Sequence, residues 1–309
     1  MRLLHFADAH IDMANYGRHD PESGLPFRVL DFLKSLDTIV DTAIAAENLG
    51  FDSVWTTDHL ALAEDESATY TPIFEALTTA AFLAASTSRV KLGISALVLP
   101  QRNPLEVAKS VASLDVLSGG RVLLAVGIGW SQREYSNLGY EFKNRGARMD
   151  EAIQVLRTAW RGSRVISYQG KHYAFEKAAF APGPVQSGGP PLWVAGNSPK
   201  ALRRSVMLAD GWHPVNLPPA EIERLLRVVR PLIANRPFSV APRLHLASEP
   251  PEDKSAGLSG SSAQVVEQIQ AYRQAGVSYA VLDFKAESQA ARERAMRRFA
   301  TEVLPQFPD

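Results

Sequence analysis

Three short stretches carry residues whose type and position could do chemistry. Asp58-His59 stands directly after the run Phe51 to Thr57. An imidazole changes charge near neutral pH, so a histidine at a strand end is a candidate general acid or base. The plainer alternative is a capping aspartate beside a loop histidine. Gly127-Ile128-Gly129-Trp130 follows the run Val122 to Val126. Glycine there lets backbone approach a ligand closely. Trp130 could wall an apolar pocket or pack in the core. Gly196-Asn197-Ser198-Pro199 pairs a candidate cap with proline at the first helical position. The backbone N–H groups of such a helix start suit a phosphate, and a plain helix cap is the alternative.

The elements that must position these residues follow from periodicity. Val90 to Leu99 is apolar but for Lys91 and Ser95, which suits a strand buried on both faces. From Pro104, the residues Leu105, Ala108, Val111, Ala112 and Leu114 recur at helical spacing, and Ser118-Gly119-Gly120 stops the helix. Val122 to Val126 is a second buried run. Strand, crossover helix and strand form a βαβ unit, so the two strands are expected parallel.

The same reading extends along the chain. Leu3 to Phe6 is the candidate first strand, Phe27 to Leu49 a helix and Phe51 to Thr57 the second strand. A helix from Thr71-Pro72 to Ala85 precedes the central unit. After it come a polar excursion, a helix from Arg145 to Trp160 and a small hairpin around Gln169-Gly170-Lys171. Strands at Leu192 to Ala195, Gly211 to Val215, Phe238 to Leu246 and Tyr279 to Phe284 alternate with helices at Pro199, Pro219 to Ile233, Ser261 to Ala275 and Gln289 to Val303. Eight strands alternating with helices predict an α/β fold, one (β/α)₈ barrel domain over 1–309 with an insertion around 131–190. An open doubly wound sheet is the runner-up. Barrel sites are built at the carboxyl ends of the strands, where Asp58-His59 and Gly127 to Trp130 fall. Tyr70, His172 and Trp212 are further candidates for the mouth. His213 and His245 read as satisfied core or loop histidines. The Arg145–Arg148 and Arg292–Arg298 runs read as solvated helix faces.

The chain has 309 residues, 46% of them hydrophobic, and its formal net charge is zero. One barrel of this length needs no second domain. Neutral charge argues against a nucleic-acid or membrane-surface partner. There are no cysteines, which rules out disulfides and thiolate metal sites and favours the cytoplasm. No apolar run reaches membrane-spanning length, and no signal segment opens the chain. A homodimer acting on a small molecule is the expected state.

From about Ala45 to Pro305 the chain resembles the bacterial-luciferase-like monooxygenase superfamily, and within it the deazaflavin (coenzyme F420)-dependent oxidoreductases. The resemblance rests on AAENLGFDSVWTTDHL, LPQRNPLEVAKSVASLDVLSGGRVLLAVGIGW, PPLWVAGNSPKAL, ADGWHP and AGVSYAVLDF, in that order. It implies a barrel with F420, or alternatively FMN, at its carboxyl mouth, and hydride transfer. It implies that Asp58 and His59 line the cofactor site, with His59 giving or taking a proton. It places a bulge with a non-prolyl cis peptide at Ser95-Ala96, beneath the tricyclic ring. It puts Gly127 and Gly129 close to the cofactor, and its phosphate at Gly196, Asn197 and Ser198. The superfamily's sugar-phosphate dehydrogenases carry a catalytic glutamate directly after their GxG. Here that place is held by Trp130 and the next acid is Glu134, which argues against a sugar-phosphate substrate.

Residues 1–44 resemble instead the start of a DNA-repair-exonuclease-type metallophosphoesterase, whose D-x-H motif would be Asp8 and His10. The companion motifs of a two-metal site are absent from the rest of the chain. The chain therefore reads as a hybrid, its first strand and helix lent to the barrel, with no metal centre expected. Three functions compete: an F420-dependent oxidoreductase, an FMN-dependent monooxygenase served by a reductase, and a metal-dependent phosphoesterase.

Overall fold

The computed structural model describes residues 19–21, 23, 27–67, 73–233, 236–247, 257–286 and 288–308, with backbone alone for 27–34. In chain order the elements are α1 (Phe27–Asn48), β1 (Ser53–Thr56), α2 (Glu64–Ser67), α3 (Ala76–Ser86), β2 (Lys91–Val98), α4 (Pro104–Ser118) and β3 (Val122–Gly127). Then come α5 (Gln132–Asn137), α6 (Arg145–Trp160), β4 (Val165–Gln169), β5 (Ala174–Ala179), β6 (Leu192–Ala195), α7 (Pro199–Leu208) and β7 (Gly211–His213). The chain closes with α8 (Pro219–Ile233), β8 (Ser239–Val240), β9 (Arg243–Ala247), β10 (Leu258–Ser259), α9 (Ser262–Gln274), β11 (Val281–Phe284) and α10 (Gln289–Arg298).

The central unit forms as its residues dictate. Asn103 caps α4 through its side chain, Pro104 opens it, and Gly119 ends it in the left-handed conformation at φ 68°. Strands β1-β2-β3-β6-β7-β8 run parallel in that order, and β10-β9-β11 form a second parallel set. The strand expected from Phe238 to Leu246 is two pieces, because Pro242 has no N–H for the ladder. The Ala241 and Arg243 amides still donate to Trp212 and Pro214, so the pieces join one wall.

Seven strand positions are thus traced, and the run curls back on itself. Phe51 meets Phe284 edge-on at 6.1 Å, and the Tyr279 hydroxyl lies 2.5 Å from Ser53 Oγ. The architecture is that of a (β/α)₈ barrel. The expected first strand, Leu3 to Phe6, lies outside the described residues, as do Asp8 and His10. The insertion after β3 holds α5 and the β4–β5 hairpin, whereas α6 packs on α4 as an ordinary barrel helix. The helix read from Thr71-Pro72 begins, where it is described, at Ala76, capped by the Glu75 carboxylate.

Two cores separate cleanly. Inside the barrel, Trp55, Leu123, Ala125, Trp193, Ala241 and Val281 pack together. Trp55 stacks on Trp193 at 5.4 Å, and a Cβ on Gly93 would lie 2.1 Å from the Trp55 ring. The bare backbone of Gly93 is therefore what admits the indole. The larger core fills the space between strands and helices. Among the described residues no helix is long and apolar enough to cross a membrane.

Candidate active site

His59, in the loop after β1, is the side chain around which the mouth is built. Its Nδ1 lies 3.2 Å from Oε2 of Glu134, in the first turn of α5. The amides of Leu60 and Ala61 donate to Oε1 of the same carboxylate at 2.7 and 3.1 Å, and Gln101 Nε2 donates to Oε2 at 3.3 Å. Burial would raise the Glu134 pKa, but the bonds from His59, Leu60 and Ala61 outweigh it and hold it at about 2. Glu134 is therefore an anion at working pH. Trp130 is half exposed and meets the His59 ring edge-on at 5.8 Å, so it stands at the rim and not in the core.

Glu134 does not stand out as a site residue in the sequence, where it is only the next acid after Trp130. The available signal was Ser131-x-x-Glu134, the spacing of a helix start. Ser131 Oγ accepts from the Glu134 amide at 2.9 Å, which fixes the first turn of α5. The carboxylate then reaches across to His59.

Asp58 turns away from His59. Its Oδ2 accepts from the Val98 amide at 2.8 Å and its Oδ1 from Arg102 Nη2 at 2.6 Å. Arg102 also pairs with Glu75 at 2.9 Å. Burial pushes the Asp58 pKa up against the pull of Arg102. The carboxylate ties the end of β2 to the loop after β1, which holds the backbone that carries His59.

The floor of the mouth is small and flat. Ser95-Ala96 is a cis peptide, at a register shift between Ile94 and Leu97. A Cβ on Gly127 would lie 3.5 Å from that of Ala96 and 3.8 Å from that of Ala195, so three strands present almost no side chain here. Gly129, at φ 66°, has Val98 only 2.7 Å from where a Cβ would sit. Beneath the floor, Ser95 Oγ is 2.7 Å from Nε2 of His213, whose Nδ1 bonds the Ala241 carbonyl. Burial pushes the His213 pKa down to about 4. The ring is neutral, donates from Nδ1 and accepts from Ser95, as a satisfied core histidine does.

At the start of α7, Ser198 caps the Ala201 amide at 3.2 Å. Asn197 exchanges hydrogen bonds of 2.8 Å with the Val215 carbonyl and amide, pinning this helix start to the end of β7. Gly196 stands at φ 122° and its carbonyl accepts from Trp212 Nε1 at 2.8 Å. Trp212 is therefore a fully buried outer-core residue and does not reach the mouth. Tyr70 lies outside the described residues. Arg148 also departs from expectation. It is buried, its guanidinium 4.4 Å from the centre of the Tyr140 ring, because aromatic faces from the inserted segment cover that turn of α6. Among the described residues no group of three His, Asp or Glu is placed to hold a metal.

A parallel barrel with a small-residue floor and a histidine–carboxylate pair at its rim places the chain among the α/β barrels with a built carboxyl mouth. Comparison with known proteins makes it specific: residues 1–254 match the luciferase-like monooxygenase family, and the chain belongs to it. The match begins at residue 1, so the segment read as foreign falls inside it. A Mycobacterium tuberculosis phthiodiolone/phenolphthiodiolone dimycocerosates ketoreductase is 31% identical over 221 residues, 64% of this chain and 57% of that protein. An F420-dependent secondary alcohol dehydrogenase, solved with an F420–acetone adduct, superposes with TM-score 0.75 at 19% identity, over 90% of this chain and 95% of that one. The FMN-bound oxygenating constituent of 3,6-diketocamphane monooxygenase from Pseudomonas putida gives 0.70 at 16%, over 89% and 94%. At these identities the two structures attest the fold.

Proposed function

We propose that the chain is an F420-dependent oxidoreductase that transfers a hydride between the deazaflavin and a small organic substrate. The observation that carries this reading is the His59–Glu134 pair at the edge of the flat floor. The floor fits a planar ring, since Ala96, Gly127 and Ala195 would leave its face unobstructed. The amino end of α7, at Gly196, Asn197 and Ser198, would hold its phosphate. F420, when bound, supplies a two-electron hydride carrier.

The chain's own residues do the rest. Glu134 accepts the Nδ1 proton of His59, so the imidazole exchanges protons with substrate at Nε2. Asp58 and Ser95 hold the loop and the floor on which the reacting groups lie. Trp130 walls the rim beside His59, its ring edge-on to the imidazole. The likeness to the F420-dependent alcohol dehydrogenase and to the ketoreductase supports carbonyl and alcohol chemistry. The same reading has the chain acting in the cytoplasm as a homodimer.

An FMN-dependent monooxygenase is the second reading, favoured by the FMN-bound structural neighbour. Separate fluorescence titrations with F420 and FMN decide between them. Tighter binding of F420 is expected; micromolar FMN binding with none of F420 would select the second reading.

A further inference from the structure

Resting on that reading of the mouth, we propose that its β9–β11 side binds an anionic group of the substrate, a carboxylate or a phosphate. Ala241 and Val281 point into the barrel. Side chains two residues on along a strand face the same way, so Arg243 and Asp283 also point inward, followed by His245 and Lys285. The register agrees, with Val281 opposite Arg243 and Asp283 opposite His245.

These side chains gather on one carboxylate. Asp283 is almost fully buried, and its Oδ2 accepts from Arg243 Nη2 at 2.9 Å and Lys285 Nζ at 3.0 Å. His245 Nε2 lies 3.5 Å from the same oxygen. Asn216 uses its oxygen on the His245 amide and its Nδ2 on Nδ1, so Nδ1 accepts and the ring's donor is Nε2, which faces Asp283. Two permanent cations thus converge on a single acid oxygen. Arg243 Nε is buried and has no hydrogen-bond partner. Asp283 accepts from Nη2 and not from Nε, so it neutralises the guanidinium from one side only and positive charge remains on this wall for an oxyanion. Lys285 is half exposed and carries the positive charge to the rim. In strand order this wall stands across the barrel from β2 and β3, which carry the floor. A substrate lying over the floor therefore directs its far end at Arg243 and Lys285.

The test is calorimetric titration of the cofactor-loaded protein with inorganic phosphate and, separately, with benzoate. One probe is expected to bind the wild type, and which one identifies the source of the oxyanion. Lys285→Met should weaken that binding about tenfold, and Asp283→Asn should tighten it, since it removes the competing negative charge. A merely structural ion pair would not give tighter binding on loss of its acid. Failure of both probes on the wild type, or binding unchanged in both variants, would overturn the proposal. The F420 and FMN titrations test the function reading independently. If neither cofactor binds while the anion effects persist in the free protein, that reading fails and the anion site stands.

Discussion

The His59 imidazole is held by a carboxylate from a different loop, with Glu134 Oε2 at 3.2 Å from Nδ1, and the Leu60 amide steadies the other oxygen of that carboxylate at 2.7 Å. Histidine tautomer and loop position are thereby set by one side chain. His59→Ala should lower turnover by roughly 10²- to 10⁴-fold with the fold intact. Glu134→Gln should lower kcat by about tenfold or more with KM little changed if the carboxylate works through His59 and not on the substrate itself. On that reading the double variant should be no slower than His59→Ala alone. Additive losses would detach the two residues.

His213 sets a pH window for stability. Burial lowers its pKa from 6.5 to about 4, so between those values the unfolded chain binds a proton that the folded one refuses. Stability is full above about pH 6.5 and falls as pH drops toward 4, by about 3 kcal/mol in all. Glu134 acts lower: its stabilisation is present above 4.5 and is lost as pH falls through about 2. Urea midpoints measured from pH 7 to 4.5 should decline for the wild type and flatten for His213→Gln. A flat wild-type curve would contradict the assignment.

Much of this was legible in the chain, and the failures have physical causes. Helix α8 is legible end to end because its apolar residues keep the helical period and Pro219 marks its start. The cis peptide at Ser95-Ala96 came from resemblance alone, since nothing in the dipeptide calls for it. The burial of Arg148 is not legible, because sequence does not show that Tyr140 and Tyr173 fold over its turn. Glu134 is hidden for a related reason. Its helix is six residues long and nearly all polar, so periodicity gives no sign of it. Its partner lies 75 positions away, and only the closed fold brings them together.

Gly93 tests the inner core. A methyl group there would meet the Trp55 ring at 2.1 Å, and the indole cannot retreat because Trp193 stacks behind it at 5.4 Å. Gly93→Ala should cost about 1–3 kcal/mol as overpacking, measured by urea unfolding. Adding Trp55→Leu should recover part of the loss, because the leucine leaves room for the methyl. An undiminished midpoint in Gly93→Ala would mean that the ring can move aside.

The last prediction separates capping from phosphate binding at α7. Ser198 Oγ caps the Ala201 amide, so any change at this residue costs helix stability as well as whatever it does to a ligand. Ser198→Ala removes the hydroxyl and keeps the backbone N–H; it should lower stability by about 1 kcal/mol. Ser198→Pro fits the local φ of −75° but removes both the hydroxyl and the N–H. If the N–H faces the cofactor phosphate, the proline variant should bind cofactor markedly more weakly than the alanine variant, while cofactor that does bind turns over as before. Both affinities are read from the same fluorescence titration, and both stabilities from urea unfolding. Equal affinities in the two variants would show that the helix start is an ordinary cap and that the phosphate lies elsewhere.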